Sequence, residues 1–416
     1  MKILLKSVRI IDKDSAYHQK KMDVFIENGI IKEIKSELKI QVDKVIDIKD
    51  LHISQGWFDS SISFGEPGFE ERETIINGLD TAGKSGFTAI ALNPNTYPVI
   101  DNNGAVTSVQ AKAGSHPVRL HPIGALSLKS EGVDMAELYD MQQGGAIAFG
   151  DYKKAIRNPN LLKIALQYAQ NFNGLVQSFP QEDRIAGKGI VNEEKNSTSL
   201  GLKGIPNLAE ELQITRDLYL LEYTGGKLHI PTISTKKSVA LIREAKKKNL
   251  AVTCSVAIHN LIFSDEELHN FDTKFKVLPP LRTPEDIKAL IEGVKDGTID
   301  LVTCDHAPID TENKKVEFDH AAYGSIGLES AFGALQTLFS IEEVIDILTR
   351  NKHIFGLESA IIEKGNPANL SLFSPNEEYT FGESHILSTS KNSIFHGYTL
   401  KGKALGIITK SGELGL

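Results

Sequence analysis

Trp57-Phe58-Asp59-Ser60-Ser61-Ile62-Ser63 reads as a short strand that starts apolar and ends in small hydroxyl residues, and it opens the pattern that decides the fold. From Trp57 to about Phe355, short apolar runs alternate with stretches of helical periodicity. Eight candidate strands stand out: Trp57–Ser63, Phe87–Leu92, Val118–Gly124, Ala146–Phe149, Leu175–Ser178, Leu228–Ile233, Leu250–Val256 and Ile299–Cys304. Several are near-continuously apolar, as parallel strands covered on both faces must be. A parallel (β/α)8 barrel is therefore expected, an α/β fold. No Gly-x-Gly-x-x-Gly follows the early strands, which counts against a dinucleotide-binding sheet.

The helices carry their own punctuation. Thr283 is placed as an N-cap before Pro284, with Ile287, Leu290, Ile291 and Val294 on one face and a stop near Gly297. A second helix is expected to open at Asn207, with Glu210 in a capping box and Leu208, Leu212 and Leu218 facing a core. Lys246-Lys247-Lys248 ends a helix, where cations suit the dipole. The stretch from Glu182 to Gly204 is the least regular and is expected to be a loop over the barrel mouth.

Outside the barrel the pattern is β-like. Asn28-Gly29 joins Met22–Ile26 to Ile30–Ile34 as a hairpin, and Asn369–Phe373 and Tyr398–Thr409 return to strands near the end. The expected division is residues 1–54 and 361–416 in one small accessory β-domain flanking a barrel at 55–360.

Composition bounds the function. The 416 residues are 41% hydrophobic and 24% charged, with a formal charge of −8, so the surface is expected to repel nucleic acid and anionic membranes. There is no signal-peptide run at Met1-Lys2-Ile3-Leu4 and no span of about 18 apolar residues, which points to a cytoplasmic chain. The two cysteines, Cys254 and Cys304, give no metal signature and read as buried strand residues.

Barrel chemistry collects at the C-terminal ends of the strands. Strand one ends in Asp59, Ser61 and Ser63, which alternation places on one face; the other ends offer Asn93 to Thr96, Asp151, Gln177, Ser178, Thr232, His259 and Asp305. A zinc site wants three or more converging His, Cys or carboxylate donors. Here the inward donors reduce to Asp59, Asp151, Asp305 and His259. His306 falls opposite Asp305, together with Cys304, and reads as structural, as does His229 before Pro231.

Longer motifs add a resemblance. Gly65-Glu66-Pro67-Gly68-Phe69-Glu70, Asn93-Pro94-Asn95-Thr96-Tyr97-Pro98, Gly201-Leu202-Lys203-Gly204-Ile205-Pro206, Pro279-Pro280-Leu281-Arg282 and Cys304-Asp305-His306-Ala307-Pro308 resemble the dihydroorotase branch of the amidohydrolase superfamily, nearly end to end. The resemblance implies hydrolysis of a cyclic amide, dihydroorotate to carbamoyl-aspartate, in pyrimidine synthesis, with one or two zinc ions and a catalytic aspartate. The family's first strand ends Asp-x-His-x-His-x-Arg. Those positions here are Ser61, Ser63 and Gly65; Gln177 and Thr232 stand near the later metal histidines, Leu278 replaces a substrate-contacting Asn, and Ile309 replaces the final His. What matches is Asn95 on the substrate side, Asp151 near the bridging carboxylate, and Asp305 as the general acid/base.

The expectation is a metal-free, catalytically silent homologue with Asp305 vestigial, acting as a scaffold or regulatory subunit. The resemblance names aspartate carbamoyltransferase as partner, and a homo-oligomer is expected. The alternative is an active dihydroorotase with zinc or another metal on Asp59, Asp151 and Asp305. A third reading is a sensor that binds a ureide beside Asn95 without turnover.

Overall fold

The computed structural model describes residues 1–415. Eight parallel strands form one sheet in chain order: Trp57–Ile62, Phe87–Leu92, Arg119–Gly124, Ala148–Phe149, Val176–Gln177, Leu228–Ile230, Val252–Ala257 and Leu301–Thr303. The first and last meet through a parallel bridge between Ile62 and His306, with Ser63 N–H donating to His306 O at 2.8 Å. The chain is thus a (β/α)8 barrel. Its floor is apolar, built from Phe58, Ala91, Ile123, Ala148, Leu175 and Leu301 beneath Phe355. Several strands are shorter than their apolar runs, chiefly at the start for Ala148–Phe149 and Leu301–Thr303 and at the end for Leu228–Ile230.

Strands from both termini make a second sheet. Its order is Gly412–Gly415, Thr399–Thr409, Asn369–Thr380, His52–Gln55, Lys2–Ile11, Lys21–Glu27 and Ile30–Lys35, with Lys44–Ile46 beside Lys2–Ile11. The hairpin turns on Asn28 and Gly29, both at positive φ (51° and 70°), the geometry a two-residue turn requires. Leu5, Val8, Ile10, Val24, Ile53, Leu370 and Leu372 form the core of this sheet. His52–Gln55 runs through Gly56 straight into the first barrel strand, and Trp57, fully buried, stacks on Phe332 at 5.0 Å.

The helix Pro284–Lys295 starts as expected, Thr283 and Asp286 forming a reciprocal capping box. The helix Asn207–Thr224 does not. Pro206 is its N-cap with no side-chain bond, and Glu210 instead accepts from Ser234 N, Thr235 N and Ser238 Oγ at 2.8, 3.1 and 2.6 Å. Leu208 and Leu212 are 54% and 44% exposed, contrary to expectation, whereas Leu218 is buried. The reason is tertiary: Gln213 and Asp217 face inward because Asp217 accepts from Ser178 Oγ at 2.6 Å and from Gln213 Nε2, and this rotates the leucines out.

The stretch from 182 to 204 is more regular than a loop. It holds helices Asp183–Ala186 and Lys195–Leu200, and Val191–Asn192 pairs with Gly204–Ile205 in parallel. Arg282 ties it down by donating to Asn192 Oδ1 and Ile205 O at 2.9 and 2.8 Å. Cys254 and Cys304 are free and buried. No helix among the described residues is long and apolar enough to cross a membrane.

Candidate functional site

At the C-terminal ends of strands one, four and eight the side chains converge on Asp305, which is 1% exposed. Its Oδ2 accepts from Lys153 Nζ at 2.7 Å, and its Oδ1 from Ser61 Oγ at 3.1 Å and Tyr152 OH at 3.2 Å. Asn93 Nδ2 then donates to Ser61 Oγ and Ser63 Oγ, and Ser63 Oγ donates to Asn95 Oδ1 at 3.0 Å. The mouth is one hydrogen-bonded chain running from an ammonium to the exposed Asn95.

Electrostatics make that ammonium permanent. Burial pulls the Lys153 pKa down, but the Asp305 charge, with Tyr152 beside it, more than offsets this and holds the group above the ordinary lysine range. The Tyr152 phenol is pushed up to about 12 by burial and then by Asp305. His259, buried with Nε2 unpartnered, is pushed down to about 3 by burial and by the Lys153 and Lys314 charges, so it is neutral.

Three strand ends are held in the left-handed region by residues other than glycine: Lys153 (φ 53°) after strand four, Thr232 (52°) after strand six and Asp305 (47°) after strand eight. Such strain gathers where a fold is shaped for a site.

The other aspartates are employed elsewhere. Asp59 does not share a face with Ser61 and Ser63, because the ladder slips between Asp59 and Ile62. It seals the barrel seam instead, accepting from Thr303 Oγ1 and from Cys304 N at 2.8 Å. Asp151 accepts from Leu126 N, Ser127 N and Ser127 Oγ, bracing the loop after strand three. Burial raises the pKa of both, and these hydrogen bonds oppose the rise.

Gln177 is buried against Gly150, and Thr232 is buried with its N–H donating to Ser255 Oγ at 3.1 Å. Leu278 packs with Phe179 and Ile205 in the mouth cover. Ile309 is buried, its N–H on Asn392 Oδ1 at 3.1 Å. A Cβ at Gly65 would lie 1.7 Å from Phe69 O, so a side chain here requires the 65–69 backbone to move.

His306 Nδ1 accepts from Gly327 N and Leu328 N, a structural clip, and burial pushes its pKa down to about 4. His229 bonds Thr253 Oγ1 at 2.9 Å against Phe355, below the mouth. A cavity of about 580 Å³ lies at the opposite end of the barrel, where Lys352 Nζ donates to Gly56 O; Asp12, Gln55, Phe339 and Arg350 also line it.

Comparison with known proteins decides the family. A family model described as "Dihydro-orotase-like" matches residues 52–238. The chain is 38% identical over 410 residues to a dihydroorotase of Thermoanaerobacter sp. (strain X514), covering 97% of this chain and 94% of that one. It is 37% identical to a dihydroorotase of Pelotomaculum thermopropionicum, covering 97% and 96%. The chain belongs to the dihydroorotase family. The fold likeness extends to the L-hydantoinase (dihydropyrimidinase) from Arthrobacter aurescens, with a TM-score of 0.84 at 19% identity over 99% of this chain and 95% of that one.

The dihydroorotase family implies zinc, and the residues present do not fit it. No group of three or more His, Cys, Asp or Glu side chains that could hold a metal ion occurs among the described residues. Asp305 is taken by an ammonium, His259 offers one nitrogen, and Ser61, Ser63, Gln177 and Thr232 are neutral donors a zinc ion disfavours. Lys153 and Tyr152 were missed from sequence. They directly follow Asp151 in Asp151-Tyr152-Lys153-Lys154, and a cation two residues beyond a strand-end carboxylate was the available signal.

Proposed function

We propose that this dihydroorotase-family chain does not hydrolyse a cyclic amide and serves as a scaffold or regulatory subunit in pyrimidine biosynthesis, with aspartate carbamoyltransferase as its partner. The observation that carries this reading is the Lys153 ammonium 2.7 Å from Asp305, where the family places its acid/base.

Magnitudes decide the chemistry. Zinc lowers the pKa of bound water from 15.7 to about 7, worth roughly 12 kcal/mol in forming hydroxide. General base catalysis contributes about 10²–10⁴-fold, several kcal/mol at best. Asp305 alone falls short of this, and its Oδ2 is already engaged by Lys153. Gly65 supplies no arginine fork for a substrate carboxylate.

A second reading rests on the names of the 37–38% identical relatives, all dihydroorotases. There the chain hydrolyses dihydroorotate, with Asp305 released from Lys153 to act on a proton.

Co-purification under gentle lysis tests the first reading. It predicts a stoichiometric complex of the tagged chain with aspartate carbamoyltransferase that survives chelator. A tagged chain that never retains the transferase overturns the scaffold role.

A further inference from the structure

The cavity of about 580 Å³ at the N-terminal ends of strands one and eight is built apart from the mouth. One wall is the end of the flanking-sheet strand Lys2–Ile11 with the turn that follows it, and another is the last barrel helix, Ile341–Thr349. Ile11, Val294, Phe339, Ile345 and Ile347, all buried, give it an apolar lining, and its volume lies in the range of small-molecule sites.

Its charges are unevenly matched. Of the five carboxylates that line it, four are held by donors of the chain itself. Asp12 accepts from Gln55 Nε2, Asp14 N and Ile362 N at 2.9, 3.2 and 2.8 Å, and Asp346 accepts from Lys13 Nζ and Arg350 Nη1 at 2.6 and 3.5 Å. Glu343 accepts from Ser340 N and Ser340 Oγ, both at 2.8 Å, and Glu342 from Gln19 Nε2. Asp14, the fifth, is exposed.

The cations divide differently. Lys13 and Arg350 share Asp346, and Arg350 also donates to Val294 O and Ile299 O. Lys352, 4% exposed, uses one of its three N–H donors on Gly56 O, and among the described residues it has no ion-pair partner. Lys295 lies over the Phe339 ring at 5.7 Å and is likewise unpaired. His18 Nδ1 accepts from Asp12 N at 3.2 Å, so its Nε2 carries the ring hydrogen and adds a further donor. Asp12 is the one charge that Lys352 feels, and it opposes the pull of burial; the amine stays at about 8 and is charged at neutral pH.

We propose that this cavity is a binding site for a small organic anion, its carboxylate or phosphate oxygens on Lys352 Nζ and its apolar body against Phe339 and Ile345. This goes beyond the proposed function and holds whether or not the mouth hydrolyses anything. An oxyanion supplies both things that the buried ammonium wants: acceptors for its remaining N–H donors and a counter-charge. A neutral ligand of the same shape supplies acceptors alone.

Isothermal titration of the full chain with benzoate, with phenyl phosphate and with neutral benzamide tests this. At least one of the two anions should bind saturably, one per chain, with a dissociation constant of about 1 mM or tighter, and benzamide should not bind. The tighter of the two identifies the group, carboxylate or phosphate. K352M should weaken that binding at least about tenfold, the exposed K295Q about threefold, and N95A, at the mouth, should leave it unchanged. Absence of binding by both anions overturns the proposal, as does benzamide binding equally well, an affinity that K352M leaves intact, or binding that N95A removes. Should K352M fail to fold, the wild-type titration and K295Q decide, and an affinity that K295Q leaves unchanged overturns it.

Discussion

A carboxylate 1% exposed needs a cation, and Asp305 finds one within its own chain. Because both charges are buried, removing one strands the other. Lys153→Met should lower unfolding free energy by about 3–5 kcal/mol, and Asp305→Asn in that background should restore part of it, which a double-mutant cycle in urea measures. Additive losses would mean the two groups are not coupled. The pH dependence follows from the raised Lys153 value. The stability it contributes is fully present below the ordinary lysine range and declines only as pH climbs through the higher folded value. Sequence made Asp305 legible as the centre but not its partner. The left-handed turn at Lys153 (φ 53°) breaks the strand alternation on which the forecast relied, and no local pattern announces such a turn in a residue other than Gly, Asn or Asp.

Elements were most legible where a local rule and the tertiary environment agree. The N-cap at Thr283 and the Asn28-Gly29 turn are set by local chemistry alone, and both appear in the structure. The helix Asn207–Thr224 misled because its inward face is chosen by hydrogen bonds to Ser178, Ser234 and Ser238, which lie elsewhere in the chain. Leu208→Gln combined with Leu212→Gln should therefore change unfolding free energy by no more than about 0.5 kcal/mol per site. Glu210→Ala should cost more than both together, since it leaves the Ser234 and Thr235 N–H groups without their acceptor. Equal losses in urea titrations would show that the leucines pack after all. The first barrel strand holds the same lesson. Its Asp-x-Ser-x-Ser alternation looked like a single face, but the slip between Asp59 and Ile62 sends Asp59 to the seam and leaves the two serines at the mouth.

For the whole molecule, barrel and flanking sheet were readable because eight apolar runs with helical spacers leave few alternatives, and the chain shares that plan with dihydroorotases along 97% of its length. The proposed loss of activity lies at the mouth. An ammonium occupies the carboxylate and Gly65 offers no arginine fork, in a rim of neutral hydroxyls and amides. The steady-state rate of dihydroorotate hydrolysis by the purified chain with zinc supplied tests this most directly. The account predicts no turnover above the protein-free rate. Turnover of about 1 s⁻¹ or faster, abolished by Asp305→Asn, would contradict it.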